Sequence, residues 1–143
     1  MTVNHPYPGF HFLVEVAGFT QAGFSDVSSL SSSVDVIEYR EGSDKTNAAR
    51  KFPGLRKTGE VVLRRGITGS NELFAWFATI NGGQVEKRDV AISLLNEAHE
   101  PVMRWLLTDA WPRSYVAGPF NATASTVAIE QLVLVFDSLQ LQQ

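Results

Sequence analysis

Hydrophobic residues recur at every second position in stretch after stretch of this chain, the period of strands that bury one side, and that alternation constrains the fold more than any other feature. Phe10, Phe12, Val14 and Val16 share one side of the first stretch, and Gly18 closes it. Residues 34–40 and 60–65 are rich in β-branched side chains and edged by charge, so both read as strands. They flank a basic segment like the two arms of a long hairpin. Residues 89–95 alternate again, residues 96–101 read as a turn, and residues 102–107 form the return strand of a second hairpin. Ala110-Trp111-Pro112 then predicts a break, because proline cannot donate to a ladder and restricts the residue before it. Residues 127–136 form a last strand, apolar on both faces toward its end.

One segment changes period. Leu73, Trp76, Phe77 and Ile80 stand at i, i+3, i+4 and i+7, the stripe with which an α-helix faces a core. Ser70 is the expected N-cap, Glu72 suits the positive end of the helix dipole, and Gly82-Gly83 supplies a left-handed stop. With no cofactor chemistry converging on it, the aromatic stripe reads as core. The expected architecture is mainly β, a β-sandwich or small barrel with one helix packed outside and a long extended hairpin loop. At 143 residues the chain fits a single domain, 1–143, and a domain of this size buries about 68–70% of its unfolded surface.

Apolar residues make up 44% and charged residues 19%, a globular and not a disordered composition. Cysteine is absent, which removes disulfides, thiolate nucleophiles and Cys-based metal sites together. The N-terminal residues lack a basic-then-apolar leader and no stretch approaches the ~20 apolar residues of a membrane span, so synthesis in the cytoplasm without membrane insertion is the expectation. Asn121-Ala122-Thr123 matches a glycosylation sequon, taken as chance in such a chain. The net charge of −3 is unevenly spread. Eight basic residues stand against three acidic ones between Arg40 and Arg65, and four against twelve elsewhere. A basic segment on an acidic body calls for a partner of opposite sign, either nucleic acid or the acidic body of another copy.

Residues 41–57 show no clear period, and unstructured loops longer than about 12–15 residues are uncommon in compact domains. A solvated, mobile hairpin tip is the bland interpretation. Phe52, Pro53 and Leu55 weigh against it, since stiff apolar residues among cations suit a docking segment. Here the chain closely resembles the contractile-phage tail tube protein family. The resemblance is carried by Gly23-Phe24-Ser25-Asp26-Val27-Ser28-Ser29-Leu30, Val36-Ile37-Glu38-Tyr39-Arg40-Glu41-Gly42, Lys51-Phe52-Pro53-Gly54-Leu55 and Leu63-Arg64-Arg65-Gly66-Ile67. It continues through Lys87-Arg88-Asp89-Val90, Pro101-Val102-Met103-Arg104-Trp105, Asp109-Ala110-Trp111-Pro112 and Val127-Ala128-Ile129-Glu130-Gln131-Leu132, and so covers nearly the whole chain. Ser-Ser stands before Leu30 where Ser-Gly is expected.

The resemblance implies a fold shared with type VI secretion tube rings, and hexameric rings stacked into a hollow tube inside a contractile sheath. It implies a hairpin loop that reaches neighbouring subunits, here Arg40, Glu41, Lys45, Arg50, Lys51, Phe52, Pro53, Gly54, Leu55, Arg56 and Lys57. The implied partners are the chain itself, sheath, baseplate and tube-terminating proteins, with DNA or effector proteins as lumen cargo; no cofactor is expected. A tube-initiator or baseplate-proximal paralogue of the same family is the alternative. A nucleic-acid-binding module using residues 40–65 is a further one, with Phe52 the single aromatic residue between Tyr39 and Phe74 to stack a base. Catalysis is not expected, because His5, His11 and His99 lie far apart in sequence and no metal, nucleophile-elbow or phosphate-loop motif occurs.

Overall fold

The computed structural model of the chain describes residues 11–19, 23–40, 42, 49–80, 82–123 and 127–142. Nine strands and one short helix run through them: β1 (Phe12–Val16), β2 (Asp26–Val27), β3 (Ser32–Tyr39), β4 (Arg50–Thr58), β5 (Val61–Gly66), α1 (Glu72–Phe77), β6 (Arg88–Leu95), β7 (Pro101–Ala117), β8 (Ile129–Val135) and β9 (Ser138–Gln142). The main sheet has the order β1-β6-β7-β8-β5-β2, with β9 also on β7; β3 and β4 form a separate two-stranded sheet.

The expected break at Ala110-Trp111-Pro112 is not a break. β7 runs through it for 17 residues and joins two walls. Its first part pairs with β6 on one edge and β9 on the other, and its second part pairs with β8. Asp109 takes a positive φ of 52°, and the register slips by one between Pro112 and Ser114, so the strand bends as it crosses. Pro112 is tolerated because β6 ends its pairing at Ala110, which leaves a ladder on only one edge of the strand there. β8 and β9 continue one another along β7, the junction closed by the Asp137 N–H donating to Thr108 O at 2.9 Å.

The core lies between the walls, where the period-2 pattern put it. Val14 and Val16 of β1, Val90 and Ile92 of β6 and Leu107 of β7 meet Val61 and Leu63 of β5 and Leu132 and Leu134 of β8. Leu73 and Trp76 of α1 close one side, and Phe77 packs partly buried against the cluster. The helix stops at Phe77, so Ile80 lies beyond it and is 40% exposed, contrary to the expected four-residue stripe. Ser70 is not the cap either. Asn71 holds that position with no side-chain cap bond, and Ser70 Oγ accepts the Glu72 N–H at 3.4 Å. Gly82 and Gly83 do adopt positive φ, yet they turn the chain after the helix has ended at Ala78.

The two arms expected to face each other across the basic segment do not pair. β5 lies between β8 and β2 in the body, and the partner of β3 is β4, whose residues 50–57 fall in the segment 41–57 read as lacking a period.

Candidate functional site

β3 and β4 make a ribbon of roughly 25 Å, from eight residues at 3.2–3.4 Å each. Gly59 N–H donating to Ser31 O at 3.0 Å closes its root, and Thr58 Oγ1 donating to Phe136 O at 2.7 Å fastens that root to the body. Halfway along, the register slips between Val34 and Val36, so that Gly54 and Leu55 together oppose Asp35. Gly54 suits the bulge because a Cβ there would sit 3.1 Å from both Asp35 O and Ile37 Cγ1. Lys57 Nζ lies 3.1 Å from Asp35 Oδ2 across the strands. Outside water such a pair gains strength, but here both ends are solvated and it holds register more than it adds stability.

Pairing partners share a face of the ribbon. One face carries Val34, Val36 and Glu38 with Arg56, Pro53 and Lys51; the other carries Asp35, Ile37 and Tyr39 with Lys57, Phe52 and Arg50. Every residue of β3 is exposed. Leu55 is exposed by 75%, Val36 by 62%, Ile37 by 53% and Phe52 by 46%. An isolated two-stranded hairpin is at best marginally stable in water, and monomeric proteins rarely leave so much contiguous apolar surface open. Such a ribbon can bury apolar side chains on both faces at once and steer its docking with a fringe of cations.

Of the residues expected in the loop, Arg50, Lys51, Phe52, Pro53, Gly54, Leu55, Arg56 and Lys57 all lie on β4, and Arg40 directly follows β3; Glu41 and Lys45 lie outside the described residues. The basic segment is not one surface, however. Arg64 and Arg65 belong to β5, and Arg65 is only 3% exposed. Arg65 Nε donates to Glu130 Oε1 at 2.7 Å, Tyr115 donates its hydroxyl to Glu130 Oε2 at 2.7 Å, and the guanidinium lies 5.7 Å from the Phe24 ring centre. Burial, reinforced by the bond to the Glu130 carboxylate, pushes the Tyr115 phenol up to about 12. Alternation in the sequence puts Arg65 on the side of Val61 and Leu63 and Glu130 on the side of Leu132 and Leu134, but that the two meet follows only from the β5–β8 register.

Two free strand edges also escaped sequence reading. Among the described residues β1 pairs only with β6 and β9 only with β7, which leaves β1-β6-β7-β9 as a four-stranded wall open on both sides. The bonds Ala17 N–H to Asp89 O and Leu95 N–H to His11 O turn the odd-numbered groups of β1 toward β6. Alternation then points the peptide groups of Phe12 and Val14 outward. Among the described residues no group of three or more His, Asp or Glu is placed to hold a metal, and no helix is long and apolar enough to cross a membrane.

The pattern of the T4-like virus tail tube protein gp19 family matches residues 8–140. A chain in the structure of the anti-feeding prophage's tube-terminating cap is 35% identical with a TM-score of 0.88, over 99% of this chain and 94% of that one. A chain of the sheath–tube complex of PVC, an extracellular contractile injection system, in its extended state is 37% identical with a TM-score of 0.86, over 98% of this chain and 93% of that one. A type six secretion system protein has the same fold at 9% identity and a TM-score of 0.60, over 93% of this chain and 83% of that one. No curated protein matches the chain.

Proposed function

The chain belongs to the T4-like virus tail tube protein family, as a structural subunit of the tube of a contractile injection system, and from that premise we propose how copies of it build the tube. Copies close into hexameric rings, the rings stack around a lumen, and the β3–β4 ribbon of each copy lies against its neighbours. The observation that carries this reading is the ribbon: a two-stranded sheet set off from the core, apolar on both faces and fringed by Arg50, Lys51, Arg56 and Lys57. The apolar residues supply most of the affinity, and the cations meet acidic body surface and fix register.

Ring closure draws on the other feature. Joining the β1 edge of one copy to the β9 edge of the next is a heterologous contact, which generates a closed ring when the rotation closes and satisfies the peptide groups both edges leave open. Sheath, baseplate and tube-terminating proteins are its partners in this reading, DNA or an effector protein is the cargo, and assembly takes place in the cytoplasm. No catalytic step is assigned to it.

Negative-stain microscopy of the purified chain tests assembly directly, with rings or rods expected. A Lys51→Glu/Lys57→Glu variant should stay folded and lose stacking. Rods of normal length from that variant would remove the ribbon from the interface.

A further inference from the structure

The wall made by β5, β8 and the second part of β7 has two unlike ends. At one, Val61 pairs with Leu134, and the chain leaves through Gly59 and Thr58 into the ribbon. At the other, Gly66 pairs with Ile129 and Ala117 with Glu130. There the chain leaves a second group of apolar side chains uncovered: Phe120 and Val127 at 70% exposure each, Val116 at 46% and Ile67 at 37%. They sit close together. A Cβ on Gly66 would lie 3.3 Å from Val127 Cγ1, one on Gly118 would lie 3.0 Å from the Phe120 ring, and Ile67 N–H donates to Ala128 O at 2.9 Å. The six residues of β5 hold the two ends about 20 Å apart.

We infer that this tip is the counter-surface on which the ribbon of the next copy along the tube axis docks, an inference that rests on the ribbon being an inter-subunit arm. Charge selects the partner. Residues 114–129 contain no Asp, Glu, Lys, Arg or His, and the ribbon carries a matching uncharged run, Phe52-Pro53-Gly54-Leu55, between Arg50-Lys51 and Arg56-Lys57. Seating that run on Phe120, Val127, Val116 and Ile67 desolvates no ionised group among those four, and the exposed Arg64, in line with Val116 through Gln131, donates its Nε to Gln131 Oε1 at 2.8 Å. Polarity selects the geometry. An apolar projection at one end of a wall and an apolar receptor at the other form a head-to-tail contact that repeats without limit along one direction. Area explains why a lone pair would not hold. A stable interface covers about 800 Å² on each partner, beyond four side chains, but contacts repeated at every subunit of a closed ring act together.

The chain has no cysteine, which allows a direct test. In a Leu55→Cys/Phe120→Cys variant the two sulfurs of one copy stand at opposite ends of the wall, too far apart for a bond that needs Cα atoms within about 7 Å. Oxidation of the assembled variant should therefore give covalent chains of three or more copies on a non-reducing gel, and each single variant nothing beyond a dimer. Phe120→Asp should keep rings and lose rods. If Leu55→Asp abolishes rods while Phe120→Asp assembles normally and no covalent chains form, the tip assignment fails and the ribbon reading stands. Normal rods from both variants would sink both. Normal rods of Phe120→Asp that no longer bind sheath protein would assign the tip to the sheath instead, and overturn the inference. Should Phe120→Asp unfold, as circular dichroism would reveal, the oxidised double variant decides alone.

Discussion

Replacing Glu130 with Gln removes one charge from a site where both partners are almost fully enclosed, Arg65 and Glu130 having side-chain exposures of 3% and 4%. The carboxylate accepts from the Arg65 guanidinium and from the Tyr115 hydroxyl, one to each oxygen. A carboxamide can imitate that geometry, because its oxygen still accepts from Arg65 and Tyr115 can turn its hydroxyl to accept from the amide. The deficit that remains is an enclosed guanidinium with no counter-charge, and Arg65 Nη2 already lacks a hydrogen-bond partner. Breaking a buried pair in this way costs about 3–5 kcal/mol, against a whole-domain stability of about 5–15 kcal/mol. For a domain of this size the melting temperature should fall by roughly 10–15 °C. Urea unfolding followed by tryptophan fluorescence, repeated at two protein concentrations to separate the share owed to assembly, measures it. A companion Arg65→Met/Glu130→Leu variant should regain most of the loss, since the damage comes from the orphaned cation. A Glu130→Gln variant within about 1 kcal/mol of the parent would refute the reasoning.

Trp76→Ala should cost about 3–5 kcal/mol, because a side chain 2% exposed is lost along with its bond to Glu86 O at 2.7 Å, whereas Ile80→Ala should stay within about 0.5 kcal/mol; equal melting shifts would contradict the helix end at Phe77. Tyr115 is held protonated, so the stability it lends is complete below the ordinary phenol value near pH 10 and lost as pH climbs through about 12. Alkaline melts of Tyr115→Phe should lack that decline, and an unchanged profile would speak against the Glu130 contact. Gly54→Val should leave core stability untouched while lowering hydrogen-exchange protection across β3 and β4, since its Cβ meets Asp35 O and Ile37 Cγ1 at 3.1 Å. Unaltered protection would show that the bulge does not set the register.

Strands were legible where one face is buried. Val14 and Val16 in β1, Val61 and Leu63 in β5, and Leu132 and Leu134 in β8 alternate because every second residue enters the core. β4 was hidden for the same reason inverted: with both ribbon faces exposed, nothing imposes a period on Arg50–Thr58, and Pro53-Gly54 reads as a turn until the bulge shows how it fits. Pro112 misled because sequence does not disclose which strand edges carry a ladder. The helix stripe was right at Leu73 and Trp76 and overran at Ile80, since spacing alone carries no stop signal. The charge map set apart the cations that lie on β4 but counted Arg64 and Arg65 with them, although the alternation from Val61 and Leu63 turns Arg65 inward. The uncharged run before Glu130 was visible in the letters; that Phe120 and Val127 stand bare was not.

Main-sheet pairing ends at the ribbon's root, so the core can complete itself without waiting for β3 and β4. Folding and polymerisation are thereby separable in time. Whatever freedom the ribbon loses on being pinned is lost at docking, and an existing end that engages every subunit of a ring at once offsets that loss better than a first pair can. Growth curves should accordingly begin with a lag that a sheared fragment of tube abolishes, leaving filament number in the hands of whatever supplies the first template.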